Sequence, residues 1–314
     1  MMKIHLDLPS RGKCRYLWTL EDYAAIAHNY ESNNIYRHIF IKGPRRLDLE
    51  AIYCTALLHL GREEELSRYK NTIETLKDSA LLSNYLELNK FSIDYLGISP
   101  NDEMSKAYDA IQIVSSLPSI DMFWKTYCSN KRISIVGNAP FRQNLGNVID
   151  NCDYVLRFNK FQTNNYELLV GSKTDVWCRI CDIQNDHQSH IKNNITLNIL
   201  TDNPLNVPTG PHFLRYILQT DKKFFLIPQK LVLELSTILN AIPSSGARVL
   251  VSLSQCKDKF NIQPSIFGFS FCHEGFSANR FDHYFEQKQE TKERTHSISS
   301  EVTLLRKLYK YKSP

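Results

Sequence analysis

Two hydrophobic rhythms divide the chain. From about Leu17 to Leu117 apolar residues recur three and four positions apart, as in LDLEAIYCTALLHLG (47–61) and EEELSRYKNTIETLKD (63–78). That period lines one face of an α-helix. Gly61 and Gly97 stand where such helices stop, since glycine enters the left-handed backbone region of a C-terminal cap without steric cost. Short paired helices of this kind resemble a tetratricopeptide-type hairpin stack, although no repeat recurs at a fixed period. Residues 1–125 are therefore assigned as a helical region.

At Arg132 the rhythm changes to short apolar runs: ISIV (133–136), YVLRF (154–158), TDVWC (174–178), TLNIL (196–200), KFFLI (223–227) and SIFGF (265–269). Runs of that length without regular polar alternation predict strands buried on both faces, hence a mostly parallel sheet. Helical patterns over Leu231–Leu239 and Ala247–Leu253 separate the last two runs and predict a Rossmann-like α/β domain over residues 126–314. The stretch 283–296, HYFEQKQETKERTH, is polar and has no strand pattern. It reads as a loop of the kind that closes over a ligand.

Composition narrows the class of protein. With 42% hydrophobic and 23% charged residues among 314, the chain can bury a sizeable core in one large domain, or in one large and one small. No window approaches the roughly 18 to 20 apolar residues of a membrane span. The N-terminal MMKIHLDLPSRGK lacks the apolar centre of a signal peptide or anchor, so a cytosolic location is expected. The net charge of +5 is modest and the basic residues are interspersed with acids, which argues against a nucleic-acid partner. It suits an anionic small molecule, or peripheral contact with an acidic membrane surface. The eight cysteines are scattered as buried thiols would be, unlike the framework of a small secreted domain. Cys178 and Cys181 form a CxxC with no second pair at zinc-finger spacing, so no metal site is expected.

The first candidate for chemistry is the strand ending in Gly137-Asn138, because open α/β sheets bind ligands at the carboxyl ends of their strands. It is not a dinucleotide fingerprint: Ala139 and Arg142 stand where the second and third glycines are needed, which disfavours NAD. There is no Walker pattern and no D-x-D, the carboxylate pair that bridges a metal to a nucleoside diphosphate sugar. A donor with a single phosphate needs no such bridge, since amide and imidazole donors can meet its charge. Pro243-Ser244-Ser245-Gly246, just ahead of a helix, offers two hydroxyls and free N–H groups to a carboxylate or phosphate. An ordinary N-cap accounts for the same residues. His283 and His296 complete the set; His296 precedes the amphipathic segment EVTLLRKLY, where the positive end of a helix dipole leaves a neutral imidazole able to deprotonate an alcohol. Glu301 reads as a first-turn acid of that helix.

These pieces stand in the order and spacing of one family. The chain resembles the eukaryotic-type sialyltransferases, glycosyltransferase family 29, through all four of their sialylmotifs. The large motif matches Arg132 to about Trp177, with Val136-Gly137-Asn138, Ile149-Asp150, Arg157-Phe158-Asn159, Tyr166-Glu167 and Val170-Gly171-Ser172-Lys173-Thr174 in place. The small motif matches Pro243 to about Ser270, with Ser244-Ser245-Gly246, Cys256 and Phe267-Gly268-Phe269. Motif III matches His283-Tyr284-Phe285-Glu286, and the very small motif matches His296 and Glu301.

The resemblance covers roughly residues 130 to 310 and implies a GT-A-variant sialyltransferase-like fold with an inverting, metal-independent mechanism and no cofactor. Asn138 and Asn159 would hold the phosphate and ribose side of a CMP-linked donor. Ser244, Ser245, Gly246, Gly268 and Ser270 would line the donor site, with Gly137 and Glu301 in support. His283 would contact the donor phosphate and His296 would be the general base, and the second substrate would be a glycan acceptor. The helical region is left as a candidate surface for peripheral membrane or glycan-assembly partners.

Three departures stand out. Golgi members have a cysteine directly after the arginine that opens the large motif, disulfide-bonded to the small-motif cysteine; here that position is Ile133, which leaves Cys256 without that partner. The usual membrane anchor is missing as well, and both departures fit a reducing cytosol, as in a bacterium that builds surface glycans from the inside. Ser270 replaces the second glycine of the family's G-F-G. Kdo, another CMP-activated 2-keto sugar acid, presents the same leaving group to the same motifs and is the alternative donor. A binding protein that recruits partners through its helical third, without turnover, is the alternative of another class.

Overall fold

The structure, a computed structural model, describes residues 23–32, 44–78, 85–141, 143–181, 195–204, 213, 216–217, 220–272, 284 and 297–309. It divides into two compact units: Met1–Ser116 with Pro204–Gln219, and Leu117–Asn203 with Thr220–Pro314. Apart from Tyr284, the expected lid over 283–296 lies outside the described residues.

The first unit is helical: α1 (Tyr23–Ser32), α2 (Pro44–His59), α3 (Glu63–Ser67), α4 (Lys70–Asp78), α5 (Leu86–Asp94) and α6 (Asp102–Ser116). The three-and-four spacing in α2 buries Ile52, Tyr53, Ala56 and Leu57 completely or nearly so, and α2 packs on α1 as α5 does on α6. The rings of Tyr30 and Tyr53 stack at 3.9 Å, and the Tyr53 hydroxyl lies 2.9 Å from the Glu65 carboxylate and 3.1 Å from that of Glu31, between which its one proton is shared. Gly61 and Gly97 end α2 and α5 with φ of +67° and +63°. The cap bonds Arg62 N–H to Leu57 O and Ile98 N–H to Ser92 O, each 3.0 Å, reach back over the last turn and satisfy its carbonyls.

Among the described residues the second unit holds six parallel strands, β1 (Arg132–Val136), β2 (Tyr154–Phe158), β3 (Val176–Arg179), β4 (Leu197–Leu200), β5 (Lys223–Leu226) and β6 (Gln263–Phe267), in the order β5-β4-β3-β2-β1-β6. All six predicted apolar runs are strands, each within two or so residues of its expected bounds. The helices are α7 (Ile120–Phe123), continued by a π-helical turn to Cys128, then α8 (Gly146–Asp150), α9 (Glu167–Val170), α10 (Gln229–Leu239), α11 (Ser245–Cys256) and α12 (Ile298–Leu308). The stretch 120–128, through which an assignment of 1–125 to the helical region would cut, lies wholly in this second unit.

The parallel register aligns side chains in rows, and the two faces differ. Ile135, Leu156, Val176 and Leu197 share a row on one face, with Phe158, Cys178, Ile199 and Phe225 in the next. This face carries the main core, closed by Trp124, Leu235, Leu250 and Leu305 from the helices. The opposite face carries the row Val136, Arg157, Trp177, Asn198 and Phe224. Arg157 is fully buried there and donates to the carbonyls of Lys173, Val170 and Gly171 and to the Thr174 hydroxyl. Burial lowers its pKa to about 10. The guanidinium thus ties the Val170-Gly171-Ser172-Lys173-Thr174 turn to the middle of β2.

Two glycines in different settings give a stability test. A methyl at Gly97 would enter open space, so only its positive φ is strained, whereas one at Gly146 would stand 2.0 Å from Glu167 O. Gly97→Ala is expected to cost about 1 kcal/mol and Gly146→Ala about 3 kcal/mol or more, measured as urea unfolding midpoints. Equal midpoints would contradict the α8–α9 contact.

Burial also raises the pKa of Cys54, Cys128, Cys178, Cys181 and Cys256, the last to about 12, from an ordinary 9.0. The unfolded chain loses these protons first, so the contribution is complete below pH 9 and is lost as pH rises from there toward 12. Arg157, with its folded pKa lowered, works in the opposite direction only above about pH 10. The urea midpoint is expected to fall between pH 8 and pH 10; a flat profile would contradict the burial of the thiols.

Candidate active site

β1 has β2 on one side and β6 on the other, so the strand order reverses beside it, and that is where open α/β sheets bind ligands. The backbones leaving β1 and β6 touch. Gly137 N–H donates to Phe267 O and Ala139 N–H to Gly268 O, both at 2.8 Å. A Cβ on Gly137 would lie 2.3 Å from Gly268 O, and one on Gly268 2.5 Å from Gly137 O. Gly246, at the start of α11, faces the Phe269 ring, with a Cβ reaching to 2.6 Å of it, and the same ring lies 3.0 Å from the Cβ position of Gly137. The three motif glycines are therefore fixed by contact with neighbouring protein, and Phe269 is the wedge that joins two of them. Ser270, half-exposed, opens a single 3-10 turn after the wedge.

Asn138 follows Gly137. Its Nδ2 donates to Phe158 O at 3.2 Å and Lys160 O at 2.7 Å, while its Oδ1 is buried and accepts no hydrogen bond. An orphaned buried acceptor costs about 1–3 kcal/mol unless a ligand fills it. The Asn138 carbonyl accepts from Tyr284 N–H at 3.1 Å, and the Tyr284 hydroxyl bonds with the backbone of Gln162. Its ring lies edge-on to Phe141 and Tyr166. Tyr284 is the residue after His283; His283 and His296 themselves lie outside the described residues.

Asn159 leaves β2 in the left-handed region, φ +43°, a conformation asparagine tolerates better than most residues. Its Oδ1 accepts from Ile180 N–H at 3.1 Å and its Nδ2 donates to Ser245 Oγ at 3.4 Å. Ser245 Oγ is 2.9 Å from Thr201 Oγ1, whose hydroxyl is 3.2 Å from Arg179 O. Thr201 is 1% exposed and was invisible to motif reading, as was the adjoining Arg248–Asp202 ion pair. Arg248 also donates to Pro243 O at 3.0 Å and to Thr201 O.

Ser244 is the N-cap of α11, its Oγ accepting from Ala247 N–H at 3.2 Å. Its own N–H and O–H both donate to the Glu301 carboxylate, each at 2.7 Å. Glu301 is an acid in the first turn of α12, as expected, and its carboxylate, 8% exposed, also binds α12 to the start of α11. The Ser244 hydroxyl, read from the sequence as available to an anion, instead donates its hydrogen bond to that carboxylate. Asn138, Asn159, Ser244, Ser245, Gly246, Gly268 and Glu301 are thus linked, directly or through one neighbour, at one end of the sheet.

Cys178 and Cys181 are buried thiols, and Cys256 bonds with the carbonyls of its own helix, Ser252 and Leu253. Among the described residues no group of three metal-binding side chains occurs, and no helix is long and apolar enough to cross a membrane.

Residues 77–200 match the family model of glycosyltransferase family 29 (sialyltransferase). Over that span, less than half of the chain, the sequence is similar to that family. The matched span ends with β4, so Asn138, Asn159 and Arg157 lie inside it while Ser244, Ser245, His283, His296 and Glu301 lie beyond it. No curated protein matches the chain. Among solved structures it is similar to a mammalian sialyltransferase in complex with Gal-beta-1-3GalNAc-ortho-nitrophenol, with 19% identity, a TM-score of 0.43 and coverage of 64% of this chain and 76% of that one. It is also similar to another mammalian sialyltransferase structure, again 19% identical, with a TM-score of 0.44 over 64% and 75% of the two chains.

Removing the Glu301 carboxylate would leave two donors of Ser244 without their charged acceptor. Glu301→Ala is expected to lower stability by about 2–3 kcal/mol, read as a shift in the unfolding midpoint at constant m-value. An unchanged midpoint would show that α12 is not braced against α11.

Proposed function

We propose that this chain is an inverting, metal-independent glycosyltransferase that moves sialic acid from its CMP donor to a hydroxyl of a glycan acceptor in surface polysaccharide assembly. The observation that carries the reading is the convergence of Asn138, Asn159 and the Ser244-Ser245-Gly246 turn beside the strand-order reversal, with an unsatisfied amide oxygen on Asn138. The free oxygen of Asn138 suits a hydroxyl of the ligand, the backbone N–H groups at the start of α11 suit one phosphate, and the absence of a D-x-D in the sequence agrees with a donor that carries no diphosphate.

In this reading the acceptor oxygen attacks the anomeric carbon as the bond from that carbon to the CMP phosphate oxygen breaks. The electron pair leaves with CMP, and the acceptor's proton passes to His296. His283 is proposed to steady the leaving phosphate, in keeping with the hydrogen bond that ties its neighbour Tyr284 to Asn138. Asn138 and Asn159 take the phosphate and ribose side of the donor. Gly137, Gly246 and Gly268 contribute by allowing backbones and a ring to close up, and Ser270 lines the far edge. A cytosolic location, with the helical unit engaging a membrane surface or other assembly proteins, belongs to the same proposal.

Incubation of the full chain with CMP-Neu5Ac and, separately, with CMP-Kdo, with and without EDTA, tests the reading through CMP release. Release from CMP-Neu5Ac unaffected by EDTA is expected, and His296→Ala should reduce it by about 10²–10⁴-fold. Turnover of CMP-Kdo alone would move the donor to Kdo, and normal turnover by His296→Ala would overturn the assignment of the base.

A further inference from the structure

The side chains around Ser245 form a closed circuit with one direction. It begins and ends on a single peptide group, Arg179–Ile180, at the tip of β3. The N–H of that group donates to Asn159 Oδ1, which fixes the amide orientation, because only an oxygen can accept there. Asn159 Nδ2 must then face Ser245 and donate to its Oγ. On the other side the Arg179 carbonyl takes Thr201 N–H at 2.9 Å and the Thr201 hydroxyl at 3.2 Å, using both lone pairs. Each hydroxyl has one proton. The contact between Ser245 and Thr201 and the contact from Thr201 to Arg179 are both made only if Ser245 gives its proton to Thr201. The reverse assignment sacrifices one bond at a threonine that is 1% exposed, where an unmade bond is costly.

We infer that Thr201 is a positioning residue that holds the Ser245 hydroxyl as a pure acceptor toward the nucleotide, so that Ser245 reads a donated proton from a ribose hydroxyl and not an oxygen of the phosphate or sugar carboxylate. The inference rests on the CMP-donor reading above and assigns the polarity of one contact within it. Ser244 Oγ, which donates to Glu301 and accepts from Ala247 N–H, serves instead as the cap of α11. Any anion near this turn is left to the backbone N–H groups of Ser245 and Gly246, at the positive end of the twelve-residue helix α11. The second Nδ2 proton of Asn159 is a further donor on the same side. A ribose hydroxyl beside Ser245 and a phosphate beside the amides would thus be sorted by hydrogen-bond polarity.

Replacing a ribose hydroxyl by fluorine removes the donated proton and keeps an electronegative atom of similar size. Titration calorimetry of the full chain with CMP and with its 2′-fluoro and 3′-fluoro 2′- or 3′-deoxy analogues reads the polarity directly. In the native chain one fluoro analogue is expected to bind about tenfold more weakly than CMP, the size of one lost hydrogen bond. Thr201→Val frees the Ser245 proton to turn toward the ligand, so that gap is expected to shrink to about threefold or less, whereas Thr201→Ser, which keeps the hydroxyl, is expected to retain it. A merely structural role for Thr201 would weaken CMP and the analogue alike and leave their ratio unchanged. Fluoro analogues within twofold of CMP on the native chain would overturn the inference without any variant, as would an undiminished gap in Thr201→Val. Absence of CMP binding to the native chain would instead overturn the donor reading, and this inference with it.

Discussion

The site depends on one constraint: the backbones leaving β1 and β6 approach until neither can carry a side chain. Gly137 and Gly268 bond to one another's strands, and a Cβ on either would enter the other's carbonyl oxygen. That contact fixes where the loop after β1 turns, and so where Asn138 stands. It also fixes where Phe269 enters, and the Phe269 ring sets how closely Gly246 and the start of α11 can approach. Glycines that a motif reading assigns to ligand contact are thus accounted for first by protein packing. Their effect on a ligand would come through the positions of Asn138 and Ser245.

A second feature follows from how protons are distributed around this point. A helix N-terminus preceded by two serines reads as an anion site with two hydroxyl donors to spare. In the folded chain both hydroxyl protons are committed inside the protein, Ser244 to Glu301 and Ser245 to Thr201. What is left for a ligand is backbone N–H on one side and hydroxyl and amide oxygens on the other. Buried polar groups gain rigidity from such networks because each partner fixes the orientation of the next. The circuit through Arg179–Ile180 locks the tips of β2, β3 and β4 to α11 without a single charged group.

Much of this was legible in the sequence, and for physical reasons. The six strands announce themselves because a parallel sheet buries both faces and so needs short, nearly continuous apolar runs. The glycine caps of α2 and α5 are legible because a positive φ selects for glycine. Asn138, Asn159, Ser244, Ser245 and Glu301 stand out through motif spacing. What spacing could not convey is what each side chain touches. Thr201 stands alone after β4 with no local pattern, and its importance comes only from lying beside Arg179 and Ser245 once the strands are aligned. Glu301 was read within its own helix because sequence shows neighbours along the chain, while its carboxylate acts 57 residues away. Ile120 to Cys128 adjoins the helical region along the chain, yet its Phe123 and Trp124 belong to the sheet's core.

The three consecutive residues Arg157-Phe158-Asn159 show how one short segment serves scaffold and site together. Alternation along β2 sends Phe158 to the apolar face, where its ring meets Phe269 edge-on, and Arg157 to the opposite face, where its guanidinium gathers the 170–174 turn. The strand then ends, and the left-handed turn at Asn159 points its amide along neither face but across the tips, to Ile180 and Ser245. Lysine at position 157 could not reproduce this, because the fork of the guanidinium reaches several carbonyls at once while an ammonium is a point donor. Nor could a β-branched residue at 159 adopt that turn without strain. The triplet therefore couples core packing, turn geometry and the polarity of the Ser245 hydroxyl through one rigid strand, and loosening any of the three would be felt at the other two.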